Sequence, residues 1–209
     1  MTVRGLEPGR RVALIINECQ NAMLDLEFQA NVELAQQATK RAITKRIAAL
    51  ADACRGAGAL VVHSTIVLRR DGLGTTASCL LLGLLVKRGY CVEGKKSAEI
   101  HPDLTPRAAD YVSQRRHGLT PFHGTELESI LRQRGVETVI VTGVSTNVGV
   151  PGTCLEAINR EFTAVVPEDA VAGSSAEIHG FQIENIIRLL ATVTTTDDVL
   201  AALPSVAHC

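Results

Sequence analysis

The sequence predicts an α/β fold: a three-layer sandwich in which a six-stranded, mostly parallel sheet carries helices on both faces, in the Rossmann-like manner. Three observations predict it. Strand-like and helix-like segments alternate along the whole chain. The first strand, within Val12–Cys19 (VALIINEC), opens as a near-continuous apolar run, as expected of a strand covered on both faces. The 209 residues, 46% of them hydrophobic and 21% charged, suffice for one buried core without disulfide staples.

Each element has its own local reason. Val32–Cys54 reads as one helix, because Ile43, Ile47, Leu50 and Cys54 recur at helical spacing and share a face. Gly56 and Gly58 end it, and Ala59–Val67 (ALVVHSTIV) is the second strand. From Arg69 to Glu99 the chain is irregular, punctuated by Gly72, Gly74, Gly83, Gly89 and Gly94 around the leucine-rich Cys79–Val86. Residues 68–100 are therefore expected to form a lid or subunit-contact segment within a single domain, 1–209. Asp110–Arg115 is a short third strand. Thr125-Glu126-Leu127-Glu128 has the form of a capping box and predicts a helix ending at Gly135. Thr138–Gly143 is the fourth strand, and Pro151–Arg160 a helix whose proline falls in its first turn. Thr163–Val166 is the fifth strand, Glu177–Ala191 a helix, Thr192–Thr195 the last strand and Asp197–Leu203 a terminal helix.

Composition excludes several classes. A formal net charge of −1 argues against electrostatic binding of nucleic acid. Two Tyr, four Phe and no Trp argue against a base-stacking platform. The longest apolar stretches, Val12–Ile16 and the Gly83-interrupted Leu80–Val86, are far shorter than the ~20 residues of a membrane helix. Met1–Arg11 has no apolar core of the signal-peptide kind. The six cysteines show no CxxC pair, so reduced thiols and a cytoplasmic location are expected. There is no GxxxxGK[ST], no GxGxxG after a strand and no HExxH, so neither cofactor nor metal is expected. His63 reads as a strand-end residue near the pocket.

In parallel sheets ligands bind beyond the carboxyl ends of the strands. After the first strand, alternation puts Glu18 and Gln20 on one face and Cys19 on the other. A carboxylate ending so apolar a strand is partly desolvated and suits acid/base work. After the third strand come Arg115-Arg116-His117-Gly118-Leu119-Thr120-Pro121-Phe122, where a basic residue can pair with Glu18 or hold an anion bidentately. After the fourth, Gly143-Val144-Ser145-Thr146-Asn147-Val148-Gly149 feeds a helix whose first N–H groups can hold an oxyanion. A serine hydrolase is a rival reading, since Gly143–Asn147 nearly matches GxSxG around Ser145, with Asp169 and His179 following in chain order.

At these three strand ends the sequence resembles the isochorismatase-like hydrolase superfamily, which includes cysteine amidases such as nicotinamidases. Ala13–Gln20 is similar to the opening strand, which in the family ends in Asp-x-Gln. Arg115–Thr125 (RRHGLTPFHGT) is similar to a segment written with Lys six residues before a Phe and then Gly-Thr. Thr142–Gly149 (TGVSTNVG) is similar to the loop that carries the nucleophilic Cys in the amidases. Carried over residue by residue, the Asp position is Glu18, the Lys position Arg116 and the Cys position Gly149. The chain is thus expected to belong to a subgroup without the nucleophilic Cys. Cys154 falls about 140° around the helix from Gly149, and Cys19 points away from Glu18, so neither replaces it.

The resemblance implies a hydrolase acting by acid/base chemistry on a small, carboxylated molecule. Glu18 supplies the proton, Arg116 holds the anion or pairs with Glu18, and Val148, Gly149 and Val150 line the pocket with backbone. Gln20, His117, Phe122, Val144, Ser145 and Asn147 are further substrate-binding candidates. A non-proline cis peptide is implied at Val144–Ser145, and a homo-oligomer, dimer or tetramer, is expected. With all three family positions substituted, the rival within the family is a non-catalytic relative serving as a binding or assembly module.

Overall fold

The protein's structure, a computed structural model, describes residues 3–28 and 31–204. Seven parallel strands form an open sheet: β1 (Val12–Asn17), β2 (Leu60–Ile66), β3 (Tyr111–Arg115), β4 (Thr138–Val144), β5 (Thr163–Pro167), β6 (Val171–Ala172) and β7 (Thr192–Thr194). The order is β3-β2-β1-β4-β5-β7, with β6 paired to the end of β4. The expected six strands are present. The seventh, β6, is two residues long and too short to leave a periodicity.

Strand alternation sorts the sheet's side chains into two cores. Leu14, Ile16, Val61, Ile140 and Val165 face α2 (Val32–Lys40), α3 (Ile43–Gly56) and α9 (Thr196–Ala202). Ala13, Ile15, Val62, Val139 and Val141 face α5 (Leu127–Gln133), α6 (Gly149–Asn159) and the π turn Ile183–Ile187 that follows α7 (Ala176–Gln182). These helices are amphipathic and bury one stripe each, which closes the sandwich on both sides. Among the described residues no helix is long and apolar enough to cross a membrane.

Three local expectations need correction. The helix expected over Val32–Cys54 is two, because Ala42 takes φ 52°, a left-handed conformation that breaks α2 from α3. The capping box does not form: α5 starts at Leu127, and Thr125 Oγ1 accepts from the Leu127 N–H at 3.3 Å instead of the Glu128 N–H. The helix expected over Glu177–Ala191 runs from α7 through a π turn (Ile183–Ile187) into α8 (Arg188–Leu190). The remaining helices are the single turn α1 (Asn21–Leu24), just beyond β1, and α4 (Leu80–Arg88) in the irregular segment.

Candidate active site

The carboxyl ends of β1, β3 and β4 meet at a cavity of about 90 Å³. Its polar wall comprises Glu18, Arg115, Ser145 and Asn31; Met23, Leu34, Ile66, Leu81, Leu82 and Leu85 supply much of the apolar wall. Leu81, Leu82 and Leu85 come from α4, so this helix of the 68–100 segment forms part of the cavity wall. Leu82 is buried, whereas Leu80 and Leu84 on the same helix are exposed.

Glu18 follows the last residue of β1 in a left-handed conformation, φ 50°, unusual for a side chain of its size. Its N–H donates to the Ser64 carbonyl at 2.8 Å, which keeps the residue tied to β2 as the chain turns. The carboxylate Oε1 accepts from Nη2 of Arg115. Arg115 is 3% exposed, and its Nε donates to the Gly118 carbonyl at 3.4 Å. Its Nη1 is buried and has no acceptor among the described residues. A buried N–H of a charged group is costly to leave unpaired, so this nitrogen is a vacant donor at the cavity wall.

The expected partner of Glu18 therefore needs correction. Arg116 makes no contact with it: Arg116 Nη1 donates to the Val67 carbonyl at 3.1 Å, and its Nη2 meets Glu93 Oε1 at 3.3 Å near the surface. The reason is strand alternation. Ser113 and Arg115 of β3 are buried and Gln114 is exposed, so the next inward position after Ser113 is Arg115.

On β4 the Val144–Ser145 peptide is cis. Beyond it the Ser145 carbonyl accepts from the N–H groups of Val148 and Val150, at 3.3 and 2.9 Å. The intervening N–H, that of Gly149, has no acceptor among the described residues, and Gly149 lines the cavity. Asn17, the last residue of β1, lies behind Gly149 with its Nδ2 donating to the Val144 carbonyl at 2.6 Å. A Cβ on Gly149 would stand 2.7 Å from that Nδ2 and 3.0 Å from the Val144 oxygen. A side chain at position 149 therefore requires the Asn17 amide to move.

Of the other expected site residues, Ser145 and Val148 line the cavity. The rest serve elsewhere. Gln20 is fully buried and braces the backbone, donating to the Ile66 and Ala98 carbonyls at 3.0 and 2.7 Å and accepting from the Ile66 N–H at 2.9 Å. Asn147 clamps Ser174 by two hydrogen bonds. His117 packs edge-on against His123, and Phe122 stacks on Phe162 in the core, so neither lines the cavity. Val144 and Val150 are wholly buried in the two cores. His63 lies inside β2, 2% exposed, with Nε2 3.1 Å from Asp110, and so is not beside the cavity. Asn17 and Arg115 were missed as site residues, although alternation along β3 carried the signal for Arg115.

The serine triad does not assemble. Asp169 hydrogen-bonds Thr196 and Arg46, not His179. The described thiols are also ill placed. Burial pushes Cys19 up, and raises Cys91 and Cys154 to about 12; none of the three lines the cavity. Cys209 lies outside the described residues.

Comparison with known proteins places this geometry in a family. A model of the isochorismatase domain matches residues 12–198, nearly the whole chain. The chain belongs to the isochorismatase family. It is 42% identical over 82 residues to the uncharacterized isochorismatase family protein YecD of Escherichia coli O157:H7, covering 39% of this chain and 44% of that protein. It is 30% identical over 110 residues to the ureidoacrylate amidohydrolase RutB of Variovorax paradoxus, covering 52% of this chain and 43% of that one. These matches span less than half the length of either relative. An isochorismatase family protein from Desulfovibrio vulgaris superposes with a TM-score of 0.79 at 29% identity, covering 92% of this chain and 100% of that one. A zinc-bound pyrazinamidase from Pyrococcus horikoshii shares the fold, with a TM-score of 0.72 at 20% identity over 88% of this chain and 99% of that one.

Proposed function

We propose that this isochorismatase-family chain is a hydrolase that acts on a small carboxylated molecule by acid/base chemistry, without a cysteine nucleophile. The observation that carries the reading is the Glu18–Arg115 pair at the cavity wall, with Arg115 Nη1 buried and vacant. A guanidinium fork matches a carboxylate, so Arg115 holds the substrate's anionic group through Nη1 while Nη2 fixes Glu18. Glu18 Oε1 is engaged by Arg115; Oε2 has no partner among the described residues and is the oxygen that exchanges a proton with the substrate. The Gly149 N–H offers a second donor to the substrate's anionic group. From its protonated form Glu18 gives the proton to the substrate's enol-ether carbon; water then adds and returns a proton to Glu18, and the resulting hemiketal breaks its C–O bond to give a carbonyl product and an alcohol.

The family's hydrolytic relatives, among them the amidohydrolase and the pyrazinamidase named above, support a hydrolase. The filled space behind Gly149 supports a route that forms no thioester. The test is a hydrolysis screen of wild type beside Glu18→Gln, over isochorismate, simple enol ethers, nicotinamide and other small amides. Enol-ether turnover that vanishes in Glu18→Gln is the expected result. Amide turnover abolished by thiol alkylation overturns the thiol-free route. Silence of both proteins across the panel favours a non-catalytic binding module.

A further inference from the structure

A second and larger cavity, about 560 Å³, lies at the opposite end of the sheet, where β1, β2 and β4 begin and α3 and α5 end. Its size falls in the range of small-molecule sites. Its charged lining is Arg10, Arg11, Arg55 and Arg134 against the single carboxylate of Asp110. Glu7, Glu137 and Asp52 stand just outside this lining and pair with two of the four arginines.

The carboxylate does not oppose an anion here, because it is already neutralised. Asp110 accepts from Arg55 Nε and Nη2 at 3.0 and 2.7 Å and is met by His63 Nε2 at 3.1 Å. Arg55 is further shared with Asp52, and Arg10 lies between Glu7 and Glu137 at 3.3 and 3.7 Å. Arg11 and Arg134 are different. Neither has an ion-pair partner among the described residues, and both line the cavity. The Arg11 guanidinium reaches over the end of α5, with Nη1 3.5 Å from the Arg134 carbonyl. Gly135, at φ 65°, makes that approach possible, since a Cβ there would stand 2.9 Å from Arg11 Nη1. Two guanidinium groups without an ion-pair partner among the described residues thus line one cavity.

We propose that this cavity binds a small molecule carrying two linked phosphate groups. A phosphate carries about −1.5 to −2 near neutral pH, so two linked phosphates place one anion on each of the two arginines without an ion-pair partner, Arg11 and Arg134. Paired N–H donors on each guanidinium suit phosphate oxygens. The site is independent of the Glu18 cavity at the other end of the sheet.

The test is calorimetric titration of inorganic pyrophosphate into the full chain at low ionic strength, with circular dichroism confirming the fold of each variant. Saturable binding is expected in wild type and, unchanged, in Glu18→Gln. Arg11→Gln and Arg134→Gln should each weaken it by about tenfold, and the double variant should abolish it. Arg11→Lys should lose less than Arg11→Gln, and added sodium chloride should weaken binding steadily. No saturable heat in wild type overturns the proposal. So does binding that survives in the double variant, or binding strengthened in Glu18→Gln, where loss of the carboxylate frees Arg115, which would put the anion at the other cavity.

Discussion

The two ends of the sheet use arginine in opposite ways. At the carboxyl end Arg115 is almost wholly buried, fixed by Glu18 and the Gly118 carbonyl in a cavity of about 90 Å³. At the amino end Arg10, Arg11 and Arg134 are exposed around a cavity of about 560 Å³. A charge taken out of water must be matched closely, and the match fixes its geometry, which suits discrimination and chemistry. A charge left in water is screened and mobile, which suits capture of a charged ligand and contributes little to stability.

The sharpest way to break this contrast is to truncate one arginine at each end. Arg115→Ala strands the Glu18 carboxylate in a largely apolar cavity, and the expected loss is about 3–5 kcal/mol of unfolding free energy. Arg134→Ala removes an exposed side chain with no ion-pair partner among the described residues, and is expected within about 0.5 kcal/mol of wild type. Urea denaturation of both variants measures the pair. Equal losses would erase the distinction between the two ends.

Acid should also act on the two ends in sequence. Behind the Ser145–Gly149 turn, burial and the nearby Arg41 push His179 down to about 4. Between that value and the ordinary histidine value of 6.5, the unfolded chain binds a proton that the folded one refuses. Stability therefore falls as pH drops from 6.5 towards 4, by about 3 kcal/mol from this group. Burial lowers His63 as well, in the same direction. Asp110 acts later. Burial raises its pKa, but hydrogen bonds from Arg55, the Arg107 N–H and His63 outweigh this and hold it at about 2. Its contribution is present above the ordinary aspartate value of 3.8 and is lost as pH falls through about 2. Denaturation of His179→Gln across this range checks the order: its slope should flatten between pH 6.5 and 4 and match wild type below.

Gly149→Cys sharpens the account of the carboxyl end. The new Cβ would meet Asn17 Nδ2 at 2.7 Å and the Val144 carbonyl at 3.0 Å, and overpacking of this kind costs about 1–3 kcal/mol. The single variant should be destabilised and should gain no amidase activity. Adding Asn17→Ala frees one of the two contacts and should recover part of the stability, because the amide can be removed while the Val144 backbone cannot. Thermal denaturation and iodoacetamide labelling of the two variants give the comparison.

How much of this was legible in the sequence depends on the kind of signal. The strands of the sheet's middle announce themselves, since VALIIN and TVIVTGV are buried on both faces and leave little but apolar residues. Glu18 and Gly149 could be placed because each sits at a fixed offset from such a strand. Gln20 and Asn147 lie close by in sequence, but an amide can satisfy backbone or a neighbouring side chain as readily as ligand, and only the fold shows that these two brace loops. The break between α2 and α3 was hidden because Ala42 has good helix propensity and is overridden by tertiary packing. The part of Asn17 became visible only through contacts between segments far apart in the chain.

The smallest expected effect isolates the one-residue error at the end of β3. Counting back from Phe122 selects Arg116, while counting along the alternating strand selects Arg115. Arg116 is partly exposed, with the Val67 carbonyl and Glu93 as its partners, so Arg116→Ala forfeits one surface ion pair and one backbone contact. Its cost should stay at or below about 1 kcal/mol, and its turnover of any substrate found in the hydrolysis screen should match wild type. Arg115→Lys, which keeps the charge but loses the fork, should lower turnover of the same substrate at least about tenfold while the protein stays folded. A reversal of these two results would mean that Arg116 swings inward when substrate binds and that the resting pair with Glu18 is not the working one.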